Sequence, residues 1–191
     1  MKILSLWDEK GGVGKSTLAI MLAGAAHKKG LKVAIFDEDP QGSCRKIASR
    51  TNCRFPFPVL TTPPADNAYD LLIIDMAPNT NTAPYGTVIF PYEPSTLSTD
   101  TAFPHIATLE AHCHANGARV IEVINRLDLR LADHRLFVKH SPKDTVKIKT
   151  RNVITRATNQ FTTIFDDSFK NLYGCREARA EINRLLNEAL K

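Results

Sequence analysis

Residues 10–17 read Lys10-Gly11-Gly12-Val13-Gly14-Lys15-Ser16-Thr17, directly after the apolar run Ile3-Leu4-Ser5-Leu6-Trp7 and directly before Leu18-Ala19-Ile20-Met21-Leu22. The order is a buried strand, a glycine-rich loop and the start of a helix. Three glycines let the loop backbone curl so that its N–H groups converge on an anion. The helix that follows adds the positive end of its dipole. A lysine and then a hydroxyl residue at the loop's exit suit phosphate oxygens and a hydrated Mg²⁺ ion respectively. The stretch therefore predicts a phosphate-binding loop in which Gly11, Gly12, Val13, Gly14, Lys15, Ser16 and Thr17 cradle a nucleotide.

Working outward, the chain alternates apolar runs with amphipathic segments. Strands are expected at Ile3–Trp7, Lys32–Phe36, Leu71–Ile74, Thr87–Phe90 (stopped by Pro91), Arg119–Ile124 and Asn152–Thr155, with a short one at Val59-Leu60. Helices are expected over Ser16–Lys29, 43–50, 98–115 (kinked near Pro104), 128–140 and Arg176–Leu190. Such alternation predicts an α/β fold: a mostly parallel sheet in one domain over residues 1–191, with helices on both faces. The length of 191 residues suits one core. No apolar run approaches the span of a bilayer, and the N-terminus lacks a secretory leader, so a cytoplasmic protein without a membrane partner is expected. The four cysteines are scattered without a C-x-x-C pair, which favours free thiols. His112-Cys113-His114 is a poor metal site, because adjacent helical residues point in different directions.

Two further strand ends carry acids. Phe36-Asp37-Glu38-Asp39-Pro40-Gln41-Gly42 closes the second strand, and Leu71-Leu72-Ile73-Ile74-Asp75 closes a later one. Ligands of parallel sheets bind at this edge. Carboxylates next to phosphates repel them unless a cation or a water intervenes, so Asp37 and Asp75, together with Ser16, are expected to hold Mg²⁺. A third strand end, Val123-Ile124-Asn125-Arg126-Leu127-Asp128, is similar to the guanine-reading N-K-x-D of regulatory GTPases.

Together these motifs resemble the ParA/MinD family of deviant Walker A ATPases. The ordinary first glycine of the loop is replaced by Glu9, and an extra lysine, Lys10, sits just inside. The resemblance covers nearly the whole chain and is greatest to the short, plasmid-type ParA partition ATPases, which lack an N-terminal helix-turn-helix domain. It implies ATP and Mg²⁺ as cofactors. It implies that Lys10 reaches the nucleotide of a partner subunit, that Lys15 serves the β/γ-phosphates, and that Asp39 positions the attacking water with Asp37 in support. It also implies that Asn125 contacts adenine, and that the loop from Met76 to Thr82 senses the γ-phosphate. ATP is favoured over GTP because every other motif is of the ATPase branch. One departure is Asp8-Glu9, where the family commonly has a neutral pair; the added charge would weaken nucleotide binding or slow dimer closure. The Pro-rich connector at 51–68 is another.

Residues 126–156 hold nine lysines and arginines against three aspartates. Within them Lys147-Ile148-Lys149-Thr150-Arg151 alternates, predicting cations on one side of an extended segment. Lys147, Lys149 and Arg151 are the candidate DNA contacts, suited to phosphates without sequence reading. Aromatics for base stacking are absent there apart from Phe137. In the last helix Ala178, Ile182, Leu185 and Leu186 form a narrow apolar stripe without bulky anchors, which predicts packing on the domain rather than on a membrane.

The expected activity is ATP hydrolysis to ADP and phosphate by a switch that forms a homodimer on binding ATP. It binds DNA non-specifically on the nucleoid, and a centromere-binding adaptor protein stimulates it, as in plasmid partition. The alternatives are positioning of a protein cargo, such as a conjugation or secretion complex, and a biosynthetic ligase. The ligase needs a second small-molecule site, for which no candidate residues stand out. An iron–sulfur relative is disfavoured because no cysteine is placed to share a cluster.

Overall fold

In the computed structural model one seven-stranded sheet organises the chain, in the order β3-β2-β4-β1-β5-β6-β7. The structure describes all residues except 66, 79–83, 96–105, 112 and 115–117. The strands are β1 (Lys2–Leu6), β2 (Val33–Asp37), β3 (Val59–Leu60), β4 (Leu71–Asp75), β5 (Thr87–Tyr92), β6 (Val120–Leu127) and β7 (Val146–Lys149). Every pairing is parallel. The helices among the described residues are α1 (Lys15–Lys28), α2 (Ser43–Ala48), α3 (106–111 and 113–114), α4 (Ala132–His140), α5 (Asn152–Asn159) and α6 (Cys175–Ala189).

Side chains alternate across the sheet, so every strand but the edge strand β7 feeds two cores, and β7 gives Val146 and Ile148 to one. Leu4, Leu6, Ile35, Ile73 and Val123 join α1, α5 and α6 in one. Leu72, Ile74, Phe90 and Ile124 join Ile106 and Leu109 of α3 in the other, with Phe137 and Val138 of α4 packed against it. Helix α1 is buried continuously from Leu18 to Ala26, which is why it reads as apolar on all sides. In α6 the stripe Ala178, Ile182, Leu185 and Leu186 is fully buried, so the helix packs on the domain as its pattern predicts. Among the described residues no helix is long and apolar enough to cross a membrane.

The structure corrects two expectations of local structure. The last strand is Val146–Lys149, whereas Asn152–Thr155 lies in helix α5. The β-branched run Val153-Ile154-Thr155 suggests a strand, but Val153 and Ala157, one helical turn apart, are the residues buried against the core. Strand β5 also runs through Pro91 to Tyr92. Its ladder to β1 ends at Ile89, so a proline beyond that point forfeits no hydrogen bond on the β1 side. Most of the helix expected over 98–115, and residues 79–82 of the expected phosphate-sensing loop, lie outside the described residues. So does His112.

Candidate nucleotide site

The loop from Leu6 to Lys15 leaves the C-terminal end of β1, which β4 and β5 flank. Gly12 and Gly14 have φ of 83° and 97°, in the left-handed region that glycine tolerates. Gly14 is constrained twice over. A Cβ there would lie 2.6 Å from Asn125 Nδ2, because the Asn125 amide donates to the Val13 carbonyl across 2.7 Å. Asn125 on β6 therefore braces the loop from behind. Gly14 caps α1 without a side-chain hydrogen bond, which leaves the helix N-terminus to an anion.

Lys15 is buried, and its ammonium donates to the Asp8 carbonyl at 2.9 Å and the Lys10 carbonyl at 3.1 Å. Burial pushes its pKa down, while Asp8, Asp75 and Asp39 oppose that shift. Asp8 is buried as well, and its Oδ1 accepts the Lys10 N–H at 2.9 Å. Burial raises its pKa against the pull of that hydrogen bond and the two lysines. The carboxylate that departs from the family pattern is thus part of the loop's own folding. Lys10, Gly11 and Gly12 are exposed.

Strand β4 lies between β1 and β2, so Asp75 stands between the loop and Asp37. Asp37 and Asp75 are 2% and 1% exposed, and each has one carboxylate oxygen, Oδ1, with no hydrogen-bond partner among the described residues. Burial pushes Asp75 up to about 6, although hydrogen bonds from Ser16 and Cys44 pull the other way. Two buried carboxylates with an orphaned oxygen each, beside a serine hydroxyl, are hard donors that fit Mg²⁺. Among the described residues no three His, Cys, Asp or Glu side chains converge on one point.

A cavity of about 340 Å³ opens beside Gly14, Thr17 and Asn125 and continues to Lys149, Thr150 and Arg151. Asp128 does not line it; Arg130 grips that carboxylate through Nε and Nη2, with Nη2 at 2.6 Å, and holds it down at about 2.

Residues 4–165 match the model of the CobQ/CobB/MinD/ParA nucleotide binding domain. The chain belongs to that family. Among characterised relatives, the "Maintenance of carboxysome distribution protein A" of Gloeobacter kilaueensis is 26% identical over 205 residues, covering 98% of this chain and 93% of the relative. Among solved structures, a McdA variant from Cyanothece in complex with ATP superposes with a TM-score of 0.75 at 15% identity, over 100% of this chain and 96% of the other. A putative plasmid partition protein from Borrelia burgdorferi bound to AMPPNP gives 0.69 at 17% identity, over 98% and 99%. At those identities the superpositions establish the fold.

Within this CobQ/CobB/MinD/ParA domain the structure brings together Gly11 to Thr17, Asp37, Asp75 and Asn125. Asp39 lies just past β2, half-buried, with its Oδ1 accepting the Gln41 N–H at 2.8 Å. The three candidate DNA contacts separate. Lys147 folds back toward the carbonyls of Pro142 and Thr145. Lys149 and Arg151 border the cavity beside the loop, and Arg151 pairs with Glu181 at 2.8 Å with both side chains less than a fifth exposed. Two site residues escape a reading of the sequence: Cys44, whose thiol faces Asp75 Oδ2 at 3.3 Å, and Arg45, which contacts Asp37. Both lie in the first turn of α2, where a short polar helix start gives no hint of its partners.

Proposed function

We propose that the protein is an ATP- and Mg²⁺-dependent switch that dimerises on ATP, binds DNA non-specifically and hydrolyses ATP under the control of a partner adaptor, as in DNA partition. The observation that carries the nucleotide reading is the orphaned pair Asp37 Oδ1 and Asp75 Oδ1 at the strand ends beside the glycine loop. In this reading Ser16, Asp37 and Asp75 hold Mg²⁺, which neutralises phosphate charge when bound. Lys15 trades its two loop carbonyls for phosphate oxygens. Asn125 and the cavity beside it accept the adenine. Asp39 orients the attacking water, and exposed Lys10 reaches the nucleotide of a second subunit. Lys147 and Lys149 meet DNA phosphates, with Arg151 fixing the end of β7 through Glu181.

A second reading, positioning of a protein cargo, draws support from the full-length similarity to a carboxysome distribution protein. The two readings share the switch and differ in what it carries. Calorimetric titration with ATP, with and without Mg²⁺, tests the switch: tight binding that requires Mg²⁺ is expected, and binding indifferent to the ion would overturn the metal assignment. Sedimentation should then show a dimer with ATP and a monomer with ADP. A fixed mass in every nucleotide state would refute the switch.

A further inference from the structure

Arg45 occupies an unusual position between two acids of the site. Its backbone N–H donates to Asp37 Oδ2 at 2.8 Å, its Nε lies 3.5 Å from the same oxygen, and its Nη2 donates to the Asp39 carbonyl at 2.8 Å. The Asp37 side chain is fully buried and that of Arg45 is 35% exposed. The guanidinium fills the space over Gly42. A Cβ at Gly42, whose φ is 61°, would lie 2.8 Å from Arg45 Nη2. The Asp39 carbonyl also accepts the Gly42 N–H at 2.8 Å, and the Asp39 carboxylate accepts the Gln41 N–H. The turn 39–42 is therefore closed by its own hydrogen bonds and anchored from outside by one guanidinium. The neighbouring Cys44 thiol reaches Asp75 Oδ2. The start of α2 thus touches both buried carboxylates and the turn that presents Asp39.

We infer that Arg45 is a positioning residue: it ties the Asp39 backbone to the Asp37 carboxylate and so fixes where Asp39 presents its side chain to the attacking water. The inference rests on the ATPase reading above. A planar, permanently charged group suits this task, because its Nη2 donates to the Asp39 carbonyl while its charge rests beside the Asp37 carboxylate at ion-pair distance. Lysine offers a single ammonium and cannot hold both with the same geometry. Misplacement of a catalytic group by about 1 Å can cost on the order of a hundredfold in rate. The anchor matters for turnover more than for nucleotide affinity, since the hydrogen bonds and ion pair of Arg45 go to Asp37 and Asp39.

The test compares Arg45→Ala and Arg45→Lys with the parent protein in two measurements. The first is amide hydrogen exchange at Gln41 and Gly42 in the nucleotide-free protein. Both amides should exchange faster in Arg45→Ala, while the Arg45→Ala backbone N–H keeps its bond to Asp37 and α2 stays formed. The second is steady-state hydrolysis alongside ATP titration. Arg45→Ala should lose about tenfold to a hundredfold in kcat with little change in ATP affinity, and Arg45→Lys should recover part of it. Unchanged exchange at both amides would overturn the anchor. Parallel losses of kcat, ATP affinity and melting temperature would make Arg45 a merely structural residue and overturn the inference as well. If the parent protein neither binds nor hydrolyses ATP, the ATPase reading fails, and the exchange experiment still decides whether Arg45 holds the turn.

Discussion

Asp37 and Asp75 are direct register partners on the neighbouring parallel strands β2 and β4, and each buries a carboxylate oxygen that has no hydrogen-bond partner among the described residues. Like charges so placed cost stability, which the Arg45 guanidinium beside Asp37 and the Lys15 ammonium near Asp75 offset only in part, since burial still holds Asp75 above its ordinary value. The site is therefore paid for in stability. Replacing Asp75 by Asn should raise the stability of the nucleotide-free protein by about 1 kcal/mol, or about 2–4 °C in Tm for a chain of this size. The same variant should lose most of the melting shift that Mg²⁺ and ATP confer on the parent. Thermal melts with and without Mg·ATP measure both, and a variant less stable in both states would show that the carboxylate is a structural element.

Gly14 offers a steric test of the loop. An alanine there meets Asn125 Nδ2 and must also adopt a φ of 97°. Gly14→Ala should destabilise the fold by at least about 1 kcal/mol and abolish ATP binding. Adding Asn125→Ala relieves the clash and leaves the backbone strain, so the double variant should remain unable to bind. Recovery of binding in the double variant would show that space, and not backbone conformation, is what Gly14 supplies.

Lys15 and Asp39 should separate binding from turnover. Lys15→Ala removes the ammonium that now rests on two loop carbonyls, and no other buried cation adjoins the loop among the described residues. ATP affinity should fall below detection in a calorimetric titration. Asp39→Ala should bind ATP as the parent does and hydrolyse it at least about a hundredfold more slowly. Turnover at the parent rate would remove Asp39 from the water-positioning role.

Much of this arrangement is legible in the sequence, and the reasons differ by element. The glycine loop and the strands ending in Asp37 and Asp75 show because each is a local pattern: apolar run, then turn or acid. Strand β7 is harder. Its alternation Val146-Lys147-Ile148-Lys149 is only four residues long, and the β-branched run that follows it competes for the same assignment. The contacts of Arg45 and Arg151 are invisible from sequence because they depend on which helix start reaches which strand end. Arg151 and Glu181 lie 30 residues apart and meet only once α6 has packed beneath β7. Lys149 alternates with apolar neighbours as an exposed cation would, yet it borders the cavity beside Gly14, a consequence of β7 lying at the sheet edge next to β6.

Lys10 should act only in the assembled state. It is exposed, and its backbone serves the loop: its N–H goes to Asp8 and its carbonyl receives Lys15. Those contacts survive truncation of the side chain. Lys10→Ala should therefore bind ATP with an affinity within about threefold of the parent, a change of well under 1 kcal/mol, and sediment as a monomer in ATP and Mg²⁺. A dimer of Lys10→Ala in ATP would exclude the cross-subunit role.

The DNA reading turns on Lys147 and Lys149, and its test must separate their charge from the structural pair beside them. Each phosphate neutralised on duplex DNA contributes about −0.9 to the log–log dependence of affinity on salt. A dimer presents each lysine twice, so Lys147→Gln with Lys149→Gln should flatten that slope by between about 3 and 4 and weaken binding to all duplexes alike. ATP affinity is measured alongside, because Lys149 borders the cavity next to Gly14 and Asn125. Arg151→Gln should behave differently. It strands the half-buried Glu181, which also accepts the Lys149 N–H at 3.1 Å, so it should lower Tm by an amount corresponding to about 1–3 kcal/mol. Its salt slope should stay close to that of the parent. A double lysine variant with unchanged slope would move the DNA contact off β7. An ATP-loaded parent protein with no affinity for DNA at low salt would favour the protein-cargo reading instead.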